Sequence, residues 1–212
     1  PLAQAGSGSD IFTYNLVSGL NNSSIQADIQ YLPRWSGNVP SFMGKMCKPV
    51  GYDVIHANTW NGFAFTRLKP TVVTSHSAVS LPELKKYQNT SQRLFYRFIA
   101  KREAFSLKKA TGVCCVSHFT AKYLEKKYGY SDSIIIYNGI NTDIYSPIER
   151  DKTSNHNDNK KKIKLFFSGN RRIMKGFDLL PKIMEELGDK YILTIASGLR
   201  NQKRSAPHNY II

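Results

Sequence analysis

The chain has 212 residues, 41% of them hydrophobic, room for one large domain or one and a half smaller ones. A net charge of +15 points to anionic partners: nucleic acid, an acidic membrane surface or phosphorylated substrates. Three cysteines, two of them adjacent, exclude a disulfide framework, and no window approaches the roughly 18 continuous apolar residues of a membrane span.

The opening PLAQAGSGSD has neither the basic nor the apolar region of a signal peptide, and a reducing cytoplasm is the simplest home for the free thiols. Gly6 and Gly8 form a glycine loop with no strand before it, as though the first strand had been cut off. An amphipathic helix follows, with Ser9 or Asp10 as N-cap and Ile11, Tyr14, Leu16, Val17 and Leu20 as its apolar positions, closing near Gly19 and Asn21. Dinucleotide binding is rejected, although Asp28 lies about 20 residues on. The third glycine of G-x-G-x-x-G falls on Ile11, whose branched side chain would prevent close helix–strand packing. Ala27 to Leu32 reads as a strand, and Pro33 to Val50 as loop with a short helix around Phe42 to Cys47. Tyr52 to Ala57 and Thr71 to Ser75 are strands with His56 and His76 at their C-terminal ends, the edge where ligands sit in open α/β sheets.

Leu81 to Ala110 is the longest helical region. Leu94, Phe98 and Phe105 mark its buried side, and Arg93, Arg97, Lys101 and Lys108 form a basic stripe: a solubilising face, or a surface for anionic lipid headgroups. Thr111 to Val116 is a buried strand in which Cys114 and Cys115 act as small hydrophobes. Thr120 to Tyr128 is a helix with Lys122, Lys126 and Lys127 outward, and Ser133 to Tyr137 a strand stopped by the Asn138-Gly139 turn. The aperiodic, Asn-, Asp-, Lys- and Ser-rich run from Pro147 to Lys162 is a linker. Three segments result: an N-terminal domain over 1–147, a linker over 148–162, and the start of a second domain over 163–212.

In that second segment Ile163, Leu165, Phe166 and Phe167 form a short apolar run suited to a buried strand, ending in the turn at Ser168-Gly169. Phe177, Leu180, Met184 and Leu187 recur at helical spacing, and Pro181 belongs in a first turn, so the helix begins near Phe177 or Asp178. The loop from Gly169 to Gly176 then sets Arg171, Arg172 and Lys175 between a strand end and a helix N-terminus, where dipole and free N–H groups favour a phosphate or pyrophosphate. It is not a Walker A motif, and metal-ligand spacing is absent throughout. Strand and helix alternate along the chain, which predicts an α/β class with parallel sheets.

YDVIHANTWNG, TVVTSHS, ATGVCCVSHFTAKYL, IIIYNGINTDIYSP and FFSGNRRIMKGFDLLPKI, in this order, resemble the group 1 (family 4-like) retaining glycosyltransferases. The resemblance implies the glycosyltransferase B fold: two Rossmann-like domains facing each other across a cleft, here an N-terminal acceptor-side domain and the beginning of a donor-nucleotide domain. It implies a nucleotide-sugar donor, a glycan or lipid-linked acceptor, retention of configuration and no metal or other cofactor. Gly6 and Gly8 match the glycine loop facing the donor diphosphate, His76 the histidine approaching the transferred sugar, and Lys175 the lysine gripping the pyrophosphate. Gly169, Asn170 and Gly176 fall in the phosphate-binding loop; Asn170 stands where the family places an arginine, which leaves that role to Arg171 or Arg172. The family's glutamate pair eight residues apart is absent, so the chain is expected to be an inactive fragment, cytoplasmic or peripheral on the inner membrane face. The rival reading is a basic α/β module that binds nucleic acid or membrane without catalysis. Nucleic acid is disfavoured, because no RNP-like, helix-turn-helix or zinc signature is present.

Overall fold

Four strands pair in parallel in the first of two units, which span Pro1–Tyr145 and Ser146–Ile212. The computed structural model describes residues 8–78, 80–147, 162–197 and 210–211. The strands β1 (Ile55–Asn58), β2 (Thr71–Ser75), β3 (Gly112–Cys115) and β4 (Ile134–Ile135) lie side by side in chain order. Val73 sits opposite Ala57 on one side and Val113 on the other. Parallel neighbours need crossovers. Helix α3 (Thr90–Lys109) carries the chain from β2 to β3, and α4 (His118–Tyr128) from β3 to β4; α1 (Gly8–Asn22) and α2 (Pro40–Met46) precede the sheet. The α/β, Rossmann-like parallel sheet expected from the alternation is the observed architecture.

The core is built on Val73, Val113, Cys115, Met43 and Leu124. Gly62 is part of it for a steric reason: a Cβ there would lie 2.2 Å from Val73 Cγ1, so the turn after β1 closes onto β2 only without a side chain. Cys115 is buried, whereas its neighbour Cys114 is half-exposed, since successive strand residues face opposite ways. Both α3 and α4 start with capping boxes, Asn89 with Gln92 and Ser117 with Thr120.

Several expected features differ. Ala27 to Leu32 is not a strand: the Asn21 side chain brackets Ala27 with two hydrogen bonds, and Gln30 and Asp28 bond to Met46, Lys48 and Tyr52 rather than to a strand. Ile11 is 57% exposed, so it obstructs no helix–strand packing, and the steric ground for excluding a dinucleotide fails. The α1 face turned inward carries Asp10, Thr13, Val17 and Leu20. Lys127 is not outward: it lies over the Tyr123 and Tyr128 rings and donates to the Tyr123 hydroxyl at 2.9 Å. The long helical region is a 3₁₀ segment, Pro82–Tyr87, followed by α3.

The largest departure from expectation is the orientation of α3. Leu94, Phe98 and Phe105 are 68%, 51% and 55% exposed, while Ile99, Arg102, Glu103, Ser106 and Leu107 are buried. Polar side chains are inside because they satisfy loop backbones. Arg102 donates to the carbonyls of Gly37 and Asn38 at 2.8 and 2.7 Å, and Ser106 Oγ accepts from Phe63 N–H at 3.0 Å. Glu103, with no exposed surface, accepts from Thr59 Oγ1 at 3.1 Å, Tyr128 OH at 2.7 Å and Tyr123 OH at 3.4 Å. It joins the turn after β1, α3 and α4.

The second unit has β5 (Ile163–Ser168), β6 (Tyr191–Ala196) and β7 (Tyr210–Ile211), again parallel, and α5 (Leu180–Leu187). Met184, Leu193 and Ile195 form its core with Leu165 and Phe167 packed against them. Phe166 on the opposite face is 69% exposed, so β5 is covered on one face, not two.

Burial pushes the Glu103 carboxyl up, against hydrogen bonds from Tyr128 and Thr59 and the Lys127 charge. With the folded value above the unfolded one, the contribution is complete below the ordinary glutamate range and lost as pH rises through the folded value. Glu103→Gln, which keeps the acceptor without the charge, should hold stability within ~1 kcal/mol at pH 8, and Glu103→Ala should cost about 3 kcal/mol. Urea denaturation of both variants measures this; equal losses would contradict the hub role of the hydrogen bonds.

Candidate functional site

In the first unit the C-terminal edge of the sheet meets α1. A cavity of about 150 Å3 there is lined by Ser9, Asp10, Phe12, Asp28, His56, Asn58 and His76, among others. A larger one of about 490 Å3, between residues 25–32, α1 and β1, shares Thr13, Asp28, Gln30 and His56 with it. His56 lies on β1, and its Nε2 is 2.8 Å from Thr74 Oγ1 on β2. His76 follows β2 directly and meets the Phe12 ring edge-on, with centroids 4.4 Å apart.

Both imidazoles are held in the neutral form. Burial, then the neighbouring His76, lowers His56 to about 4, and burial lowers His76. A neutral imidazole presents one donor and one acceptor nitrogen, which suits hydroxyl groups better than phosphate. Phe12 is the lining residue that sequence reasoning missed. Its signal was its place, one helical turn beyond Ser9 at the start of a helix that follows a glycine loop. Gly8 is the first residue of α1, and Gly6 lies outside the described residues.

The second unit carries the other predicted residues. Gly169 follows β5, and its N–H bonds Ala196 O at 3.0 Å. Two 3₁₀ turns, Ile173–Lys175 and Phe177–Leu179, separate it from α5, which starts at Leu180 with Pro181 in its first turn. The helix thus begins later than the expected Phe177 or Asp178. Arg172 N–H bonds Asn170 O at 2.7 Å, Lys175 N–H bonds Arg172 O at 2.9 Å, and Gly176 N–H bonds Ile173 O at 2.8 Å. The N–H groups of Gly169, Arg172, Lys175 and Gly176 therefore already have partners within the chain. Gly176 takes φ +71°, which a side chain would strain. A Cβ on Gly169 would press on the Phe167 ring at 3.3 Å and lie 4.0 Å from Lys175 Cβ, so the lysine rises beside the strand end.

The three cations differ. Arg171 is half-buried with its guanidinium 5.8 Å from the Phe177 ring centroid, whereas Arg172 and Lys175 are exposed. Among the described residues, no three His, Cys, Asp or Glu side chains cluster as a metal site would require, and no helix is long and apolar enough to cross a membrane.

A parallel sheet with a pocket at its C-terminal edge defines a Rossmann-like ligand-binding unit. The family model Glycosyltransferase Family 4 matches residues 8–144, almost all of this unit and more than half of the chain. The chain belongs to that family, and its general activity is glycosyl transfer between a sugar donor and an acceptor. No curated protein matches it.

The imidazoles give the pocket a pH signature. Because the folded value of His56 lies below the unfolded one of about 6.5, its stabilising contribution is present above pH 6.5 and lost as pH falls toward 4. His56→Gln, which can still bond Thr74, should therefore lose less stability than the wild type between pH 7 and pH 4. Urea midpoints across that range measure the difference; parallel curves would contradict a neutral, desolvated His56.

Proposed function

We propose that this glycosyltransferase takes its sugar from a nucleoside-diphosphate sugar, that the 169–176 loop holds the donor diphosphate, and that the sugar goes to a glycan or lipid-linked acceptor. The observation that carries the reading is the pair of exposed cations, Arg172 and Lys175, beside the C-terminal end of a parallel strand. As the glycosidic bond breaks, the diphosphate gains negative charge and the sugar becomes oxocarbenium-like. Cations fixed at the phosphate stabilise that charge more in the transition state than in the ground state, which is what accelerates the step.

Lys175 supplies a point charge and Arg172 a planar fork able to bond two phosphate oxygens. Arg171 acts differently, holding the shape of the loop through its contact with the Phe177 ring. The pocket with His56 and His76 is assigned to sugar hydroxyls, in keeping with neutral imidazoles. Retention of configuration and independence of metal are carried over from the family resemblance, and a cytoplasmic setting rests on the three free thiols.

Lys175→Ala and Arg172→Ala should each reduce turnover of the intact enzyme by roughly 100-fold and weaken product-nucleotide binding. Arg171→Ala should lower the melting temperature with a smaller effect per folded molecule, and EDTA should leave the rate unchanged. If Lys175→Ala and Arg172→Ala both bind nucleoside diphosphate and turn over like the wild type, the diphosphate is held elsewhere. His76→Ala should reduce turnover more than donor affinity; normal turnover with a lowered melting temperature would make His76 a packing residue.

A further inference from the structure

We infer that the outward face of α3 is a docking surface for an anionic lipid bilayer. The helix is inverted relative to an ordinary amphipathic helix: its buried side holds Arg102, Glu103 and Ser106, and its exposed side Leu94, Phe98 and Phe105. With about 100° per residue, the three apolar side chains fall within roughly 40° of one another, and Arg97, Lys101 and Lys108 within the adjoining 60° or so. From Leu94 to Phe105 the ridge runs about 16 Å along the helix. Phe63 extends it sideways, its ring centroid 6.1 Å from that of Phe105.

Core packing does not explain Leu94 and Phe105, and Phe98 meets the buried side through the Arg102 guanidinium, 4.1 Å from its ring centroid, while half of its surface stays exposed. Charge selects the occupant. The one acidic residue of α3 is Glu103, which is buried, so every formal charge on the exposed side is positive. A second copy of the chain would bring cations against cations. An anionic membrane meets both halves of the pattern: rings and leucine enter the boundary of the acyl region while Lys and Arg pair with headgroup phosphates. Single-stranded nucleic acid is bound in grooves that alternate bases with aromatic platforms, and a convex helical ridge offers no groove. The surface shares no residue with the 169–176 loop or the histidine pocket, so it stands or falls independently of the donor assignment.

The test uses the full chain with phosphatidylcholine vesicles prepared with and without phosphatidylglycerol. The wild type should sediment with the anionic vesicles at low salt and remain free of the neutral ones. Each cation contributes about a five-fold gain in partitioning, so Arg97→Glu, Lys101→Glu and Lys108→Glu together should reduce it by more than roughly 100-fold. Replacing Leu94, Phe98 and Phe105 together by serine should cost at least about 10-fold with an unchanged circular dichroism spectrum, because all three side chains are at least half-exposed; Leu94→Ser and Phe105→Ser alone, which leave the Phe98–Arg102 contact intact, should show the same direction. A Phe98→Trp variant, read against the wild-type signal of Trp35 and Trp60, should shift to the blue on adding anionic vesicles. An unshifted Phe98→Trp in sedimenting protein, or a serine variant that binds like the wild type, would overturn the inference. So would an RNA homopolymer that displaces the vesicles through the same residues.

Discussion

Parallel strand pairing is the constraint from which both candidate sites follow. Every neighbouring pair in the two sheets runs in the same direction, so each sheet has one edge at which all its strands finish. In the first unit that edge gathers Asn58 and His76, with His56 not at the expected strand end but two residues back along β1; in the second it places Gly169 and its loop beyond β5. Crossover connections are obligatory between parallel strands, through α3 and α4 after β2 and β3 and through a single 3₁₀ turn after β1, and each leaves from this same edge. Position at the end of a strand is therefore what turns otherwise ordinary histidines, arginines and lysines into a site.

The first unit stabilises this arrangement from behind with buried polar groups. Glu103 and Ser106 bond the β1–β2 connection at Thr59 and Phe63, and Arg102 the segment before β1 at Gly37, so α3 serves as a clamp for loops as well as a cover for the sheet. That use of polar residues explains what is legible in the sequence and what is not. The β-branched run Thr71 to Ser75 has the limits its sequence predicts, because a short β-branched stretch bounded by Pro70 and His76 admits little else. Sequence alone turns the face of α3 the wrong way, because hydropathy ranks Phe98 and Phe105 above Glu103 and knows nothing of the hydroxyls and carbonyls waiting inside. The strand expected over Ala27 to Leu32 fails similarly: Asn21, Tyr52, Met46 and Lys48 supply its partners through side-chain bonds, and no local pattern announces them.

The candidate site is legible in part. His76 and Lys175 stand out in the sequence through strand ends and glycine turns; His76 directly follows β2, and Lys175 closes the 3₁₀ turn before Gly176. The path of the 169–176 loop is not legible, because the two 3₁₀ turns that delay the start of α5 depend on backbone geometry that Pro181 alone does not disclose. In the proposed reading the exposed cations Arg172 and Lys175 contribute most of the attraction to a diphosphate, and such an interaction depends on both phosphate charge and salt.

Calorimetric titration of the intact protein with the uridine and guanosine series, from nucleoside to monophosphate to diphosphate, tests this most directly. The account predicts that the diphosphate binds about tenfold or more tighter than the monophosphate of its preferred base, and that added salt erodes this gain. A nucleoside that binds as tightly as its diphosphate, with no dependence on salt, would contradict it.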